Sequence, residues 1–387
     1  MKRIAPEEAK GIRKGLDLWD YMDKVRPIVK DVRERGLEAV KEYVAKFDQY
    51  EGDVVIDPNE LNADEELVRL FEEVLDQLAS FHSYVAPKGS SFSKRGIRAI
   101  TIWEPIDRLG AYAPGGLYPY PSTILMTAGI AKALGVKEVI LATPPKSLES
   151  EAVRAAIKAS KVDKVVAAGG AHGIAALAYT FNVDKVVGPG GPYVQAAKLL
   201  VSAHVPIDMV AGPTELVVIA DEKSDPEEVA FDMLAQAEHG PLSFALLLSP
   251  SEGLIEAVER IVEKEKVEGE LYASKVKDVN EAIKIASEIA PEHVALYVDA
   301  YEVPVAGAIS LETPSPLLDY AAGPNHVLPT SGWAKGRGPL GPSDFMRWRV
   351  LVKAYPEAKG LAELALKLAE MEGMKYHAKA LMKLLGR

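Results

Sequence analysis

Seven histidines and no cysteine limit what the side chains of this 387-residue chain can do. Without a thiol there is no disulfide framework, no thiolate metal site and no covalent cysteine intermediate, so a metal must be held by N and O ligands. Gln236 and His239 stand three residues apart, just before Gly240 and Pro241. On a helix that spacing puts both side chains on one face, where they could share a metal. It equally suits a plain helix end, with His239 near the negative pole of the dipole and Gln236 in water. Pro291-Glu292-His293 interrupts an apolar helix and precedes the strand-like VALYV. A carboxylate and an imidazole presented together at such a turn suit proton transfer, and a surface ion pair fits as well. Asp319, in SPLLDYAAGPNHVLPT with His326 seven residues on, reads as a loop residue that could be a ligand or a turn former. His377 sits on a short C-terminal helix, five residues after Glu372, and His82 and His204 carry no functional reading. A shell of Gln, His, Asp and His suits zinc by ligand type, although no spacing by itself requires it.

These residues need elements to position them. Residues 20 to 86 read as helices, with Val25, Ile28, Val29 and Val32 on one face and Leu67, Leu70, Phe71 and Val74 on another. From Ile97 the pattern changes to short β-rich runs alternating with Ala-rich helical stretches, among them EVILATPP, EAVRAAIKAS, KVVAAGG and KVVGPGG. A second alternating stretch follows, from ELVVIAD through the helix ending in Gln236 and the strand FALLLSP to helices at 252 to 265 and 277 to 290. Strand, turn and helix repeated in this way predict an α/β fold with two doubly wound parallel-sheet domains and small helical N- and C-terminal extensions. The boundaries expected are 1–17 for the N-terminal helical extension, 18–111 with 215–340 for a discontinuous metal and substrate domain, 112–214 for a nucleotide-binding-like domain, and 341–387 for the C-terminal extension. Residues 301 to 346, rich in Pro, Gly, Ser and Asp, read as loops, and the tail as a helix with Leu361, Leu364, Ala365 and Leu368 on one face.

The one match to a dinucleotide fingerprint, Gly336 to Gly341, follows no strand and contains Pro339, so it is rejected. A dinucleotide would instead need the Gly-rich turns at Pro114 to Gly116, Gly169-Gly170 or Gly188 to Gly191, where strands end before helices and free N–H groups can face phosphate. The net charge of −11 disfavours a nucleic-acid partner and leaves small molecules as the expected ligands. The charged opening has no apolar signal segment and no run of 18 apolar residues occurs, which predicts a cytosolic protein without membrane contact. Five Asn and four Gln among many Glu and Lys suggest a thermophilic source.

Over almost the whole chain, RLGAYAPGGLYPYPSTILM, GGAHGIAALAY, VVGPGGPYVQAAK, IDMVAGPTELVVIAD, LAQAEHGP, APEHVAL, DYAAGPNHVLPT and LGPSDFMR resemble, in order, the motifs of the histidinol dehydrogenase family. Several long motifs in a fixed order weigh far more than any one of them. The resemblance implies a zinc ion bound by Gln236, His239, Asp319 and His377, with Glu292 and His293 as proton-transfer residues. It implies substrate contacts from Thr214, Gln236, His239, His293, Asp319, Glu372 and His377, and NAD approaching Tyr112, His172 and Gly191. Activity would be a four-electron oxidation of L-histidinol through the aldehyde to L-histidine in histidine biosynthesis, by a homodimer whose C-terminal segments complete each other's sites.

The chain departs from the family's pattern in four places. Thr214 replaces a more usual Ser and keeps the hydroxyl, His172 stands for Gln, and Gly191 stands for Asn. The link between His293 and Asp319 is also shorter. Two other readings compete: a related metal-dependent dehydrogenase for another polar alcohol, such as a sulfonated diol, and a non-catalytic metal or nucleotide sensor. Glu372 speaks against the sulfonate, since a carboxylate repels it, and the retained Glu292-His293 pair speaks against the sensor.

Overall fold

The computed structural model describes residues 1–12, 17–115 and 118–387. Residues 13–16 of the expected N-terminal extension, and Gly116 of the first Gly-rich turn, lie outside the described residues. The chain divides into two compact units, Met1–Val85 with Ile106–Phe345, and Ala86–Pro105 with Met346–Arg387.

The first unit holds two sheets. One runs, in spatial order, Lys2–Arg3, Glu270–Lys275, Phe244–Ser249, Glu215–Ile219, His293–Leu296 and Ala308–Leu311, every pair parallel. The other runs Val55–Ile56, Lys164–Ala167, Glu138–Thr143, Arg108–Tyr112 and Lys185–Val187, parallel except for the antiparallel edge at Val55–Ile56. Central strands such as ELVVI are buried residue for residue, because helices cover both faces and no alternating polar face is needed. Ile140, Ala142 and Val166 of the second sheet pack in one core with Val25, Val29 and Val32 of the Leu18–Arg35 helix. In the Glu65–Val85 helix Phe71 and Val74 of the expected face pack on the core and the stripe continues through Leu78 and His82, while Leu70 is exposed. Among the described residues no helix is long and apolar enough to cross a membrane.

An ion pair inside this unit fixes one Gly-rich turn. Lys198 and Asp208 are both fully buried, with Lys198 Nζ 2.5 Å from Asp208 Oδ1. Lys198 also donates to Gly188 O at 2.6 Å, and the Gly188 N–H donates to Asp208 Oδ2 at 2.8 Å. Burial pushes the Lys198 ammonium below its ordinary pKa, against the pull of Asp208. Such a pair contributes definition more than net stability, since desolvation offsets much of the attraction. Here it clamps both backbone groups of Gly188, whose φ of +124° few other residues adopt.

The second unit corrects two sequence expectations. Its core is an antiparallel sheet of Ser90–Lys94, Ile97–Pro105 and Met346–Ala354, so the C-terminal extension opens with a strand rather than a helix. The sequence hid this sheet because Ser90–Lys94 is exposed throughout and does not alternate, and because Ile97–Pro105 and Met346–Ala354 are far apart in sequence. Arg95 and Gly96, both at positive φ, form the tight turn between the first two strands. Two helices follow, Lys359–Met371 and Lys375–Leu384, separated at Gly373 with φ +70°. They pack through Leu366, Ala369 and Ala378. The expected stripe is largely uncovered instead: Leu364 and Leu368 are exposed, as is Met371. A third correction falls in the first unit, where the loop-like stretch 301 to 346 contains the strand Ala308–Leu311 and the helix Ser315–Tyr320, which carries Asp319.

Candidate active site

A cavity of about 360 Å³ opens in the first unit. One wall comes from turns that follow strands of the five-stranded sheet, with Pro114 after Arg108–Tyr112 and Gly190 and Gly191 after Lys185–Val187. The opposite wall comes from the starts of two strands of the six-stranded sheet, with Thr214 before Glu215–Ile219 and Glu292 and His293 at the head of His293–Leu296. Gln236 and His239, at the end of the Pro226–Ala237 helix, Asp319 and His326 complete the polar lining.

Glu292 is the most constrained of these groups. Its strand runs parallel to Glu215–Ile219 with His293 opposite Leu216, which sets Glu292 beside Glu215. Oε2 accepts from the Thr214 hydroxyl at 2.5 Å and from the Glu215 N–H at 3.1 Å. The amide of Gln236 donates in turn to Thr214 Oγ1. Burial pushes the Glu292 carboxyl up to about 8, and the charges of Glu215 and Asp319 act in the same direction. The hydrogen bonds from Thr214 and Glu215 oppose the rise, because donors favour the carboxylate.

His293 is buried as well, and among the described residues neither ring nitrogen has a hydrogen-bond partner. Asp319 Oδ1 is 3.6 Å from Nε2, beyond a good hydrogen bond. Burial lowers the His293 pKa and His239 adds to the effect, while Asp319 opposes it. The ring is therefore neutral near pH 7, with a lone pair available. His239 donates from Nδ1 to Ala235 O at 3.0 Å, since a carbonyl can only accept, and this leaves its Nε2 as the lone-pair nitrogen. His326 is fixed in the same way. Its Nδ1 donates to Asp319 O at 2.6 Å, and Nε2 lies 3.5 Å from the Thr123 hydroxyl. The sequence reading noted His326 without giving it a role, and its seven-residue spacing from Asp319 was the only signal.

Of the other sequence-predicted residues, only Gly191 lines the cavity. Tyr112 is buried, and its hydroxyl accepts the Gly170 N–H at 3.0 Å. His172 is buried with Nε2 2.7 Å from Asp48 Oδ2, and that same oxygen accepts the Gly169 N–H at 3.2 Å. Gly191 faces the cavity, and a Cβ there would meet nothing within 4 Å. Glu372 and His377 belong to the second unit and are exposed, whereas the cavity lining belongs wholly to the first. Among the described residues no three His, Asp or Glu side chains gather closely enough to hold a metal.

Residues 12–384 match the family model described as histidinol dehydrogenase. The histidinol dehydrogenase of Sulfolobus acidocaldarius is 42% identical over 371 residues, covering 92% of this chain and 94% of that protein. That of Pyrobaculum aerophilum is 40% identical, covering 94% and 98%. The crystal structure of histidinol dehydrogenase from Elizabethkingia anophelis superposes with a TM-score of 0.87 at 26% identity, covering 100% of this chain and 99% of that one.

The raised Glu292 pKa predicts a pH-dependent stability. A carboxyl whose folded-state pKa exceeds its unfolded value contributes stability below the unfolded pKa, near 4.5, which is lost as the pH rises through about 8. In metal-free protein, Glu292→Gln should therefore melt progressively higher than wild type as the pH is raised from about 5 to about 8, with the difference shrinking below 5. Thermal melts of both proteins across that range check this, and a difference that does not change with pH would show Glu292 to be unperturbed.

Proposed function

The chain belongs to the histidinol dehydrogenase family, and on that premise we propose that it oxidises L-histidinol through L-histidinaldehyde to L-histidine, passing a hydride to NAD in each of two steps. The observation that carries the reading is the adjacent pair in one cavity, a neutral His293 with unpartnered nitrogens beside a buried Glu292 whose carboxyl titrates near 8. His293 takes the hydroxyl proton of the alcohol as hydride leaves its carbon. Glu292, once ionised, takes a proton from water as the water adds to the aldehyde and His293 returns its proton to the aldehyde oxygen, giving a gem-diol that loses the second hydride as one of its hydroxyl protons passes to His293. A group with a pKa near the working pH suits this role, and such proton transfers typically contribute about 10²–10⁴-fold.

Zinc fits the donors present. Gln236, His239 through Nε2, and Asp319 offer N and O atoms along one wall, and they would hold the ion together with the partner subunit's His377. When bound, zinc supplies a fixed Lewis-acid anchor for the substrate's imidazole and amine. Thr214, His293 and the partner subunit's Glu372 complete the proposed substrate contacts. On the opposite wall the open space at Gly191 leaves room for NAD. Tyr112 and His172 act on NAD indirectly, by bracing the amides of the Gly169-Gly170 turn.

The reading includes a homodimer with shared sites, and two features support it. The second unit carries thirteen Lys and Arg against five Asp and Glu, while the rest of the chain carries 32 against 51. A basic unit on one copy would be complementary to an acidic body on the other. The uncovered stripe of Leu364, Leu368 and Met371 supplies apolar surface for the same contact.

Two outcomes test the proposal. Purified protein given limiting L-histidinol and excess NAD should form two NADH per histidinol. One equivalent with accumulated aldehyde, or none, contradicts the four-electron reaction. Separately, Glu292→Gln and His377→Ala should each be inactive as homodimers, yet recover about half the wild-type activity per heterodimer after subunit exchange, because one of two sites is then intact. A mixture that stays inactive after verified exchange places His377 in its own chain's site.

A further inference from the structure

Beneath the cavity a single carboxylate ties together the three elements that carry the candidate site. Asp232 lies on the Pro226–Ala237 helix, one turn before Gln236, and is 2% exposed. Its Oδ2 accepts from the Tyr297 hydroxyl at 2.8 Å. Its Oδ1 accepts from the Ser315 N–H at 2.9 Å and from the Ser315 hydroxyl at 3.2 Å. Tyr297 directly follows the strand that His293 opens, and Ser315 is the first residue of the helix that carries Asp319. In all three elements the contact is four residues from the site residue: Asp232 to Gln236, Tyr297 to His293, and Ser315 to Asp319.

The Ser315–Tyr320 helix needs this help. It has only six residues, Pro314 at its N-cap provides no capping hydrogen bond, and its connection to the neighbouring strand is short. Without an acceptor its first N–H would be orphaned, and a six-residue helix is far below the length that holds itself in water. A carboxylate at that end both caps the N–H and suits the dipole. Because the carboxylate is rooted in the helix that carries Gln236 and His239, it also fixes Asp319 relative to those two donors. Asp232 does not line the cavity, so it can act only through them.

We propose that Asp232 is a positioning residue for the metal centre, holding the Asp319 helix in register with Gln236 and His239. This rests on the zinc reading given above.

The test is the zinc dissociation constant of the intact protein, by competition with a chromogenic chelator, together with the visible spectrum of the cobalt(II)-substituted protein. Loss of a group that orients ligands costs about 10- to 100-fold in metal affinity, and Asp232→Ala should fall in that range with an altered cobalt spectrum. Asp232→Asn keeps an acceptor for Ser315 and should recover most of the affinity. Combined with Asp319→Ala, Asp232→Ala should cost little more than Asp319→Ala alone, because the residue through which it acts is already gone. A folded Asp232→Ala protein that binds zinc as wild type does overturns the proposal, as does a full additional loss in the Asp319→Ala background. If Asp232→Ala does not fold, Asp232→Leu, close in shape and lacking both acceptors, is judged by the same two criteria. A wild-type protein that binds no zinc at all defeats the metal reading itself and the proposal with it, whereas wild-type binding unchanged by Asp232 substitution defeats the proposal alone.

Discussion

The site depends on the burial of one carboxylate where two parallel strands begin. Taking an ionised carboxyl out of water costs several kcal/mol, and hydrogen bonds to the charged form return about 1.5–3 kcal/mol each. Glu292 receives two, from the Thr214 hydroxyl and the Glu215 N–H, while Glu215 and Asp319 add negative charge nearby. The balance leaves the group neutral at ordinary pH and able to ionise a little above it. Because the Gln236 amide donates to the same Thr214 hydroxyl, the acid and a metal-ligand candidate belong to one hydrogen-bonded chain. A change at Thr214 therefore disturbs both.

The two sheets divide the work. The five-stranded sheet offers the ends of its strands, where Gly-rich turns bring backbone close to the cavity, and the fully buried Lys198–Asp208 pair keeps one such turn in place. The six-stranded sheet offers strand beginnings and a helix end, which supply the side chains proposed to move protons and hold the metal. Glu372 and His377 stand exposed on a basic unit with an uncovered apolar stripe.

Much of the fold was legible because its central strands are continuous apolar runs and its helices carry clear stripes, as in Val25, Val29 and Val32. The antiparallel sheet of the second unit was not, since Ser90–Lys94 is exposed without alternation and Ile97–Pro105 finds its other partner, Met346–Ala354, far along the chain. The short helix bearing Asp319 was hidden for a related reason. Its first N–H is capped by Asp232, 83 residues away, rather than by a residue of its own segment. Spacing could place Gln236 near His239 and Glu292 beside His293, but the hydrogen bond from Thr214 to Glu292 spans 78 residues. Only the order of long motifs, which marked the family, linked these segments before the coordinates did. Which face of the Lys359–Met371 helix is covered was misread because the helix has two apolar stripes, and the smaller-residue one packs against the final helix.

The ionisation of Glu292 can be observed directly. Infrared difference spectra of metal-free protein with ¹³C-labelled glutamate carboxyl groups, wild type against Glu292→Gln, isolate one carboxyl band among many. The account predicts a protonated Glu292 carboxyl that persists at pH 7 and disappears with a midpoint near 8. A carboxyl already ionised by about pH 5, as for an ordinary surface glutamate, would contradict it.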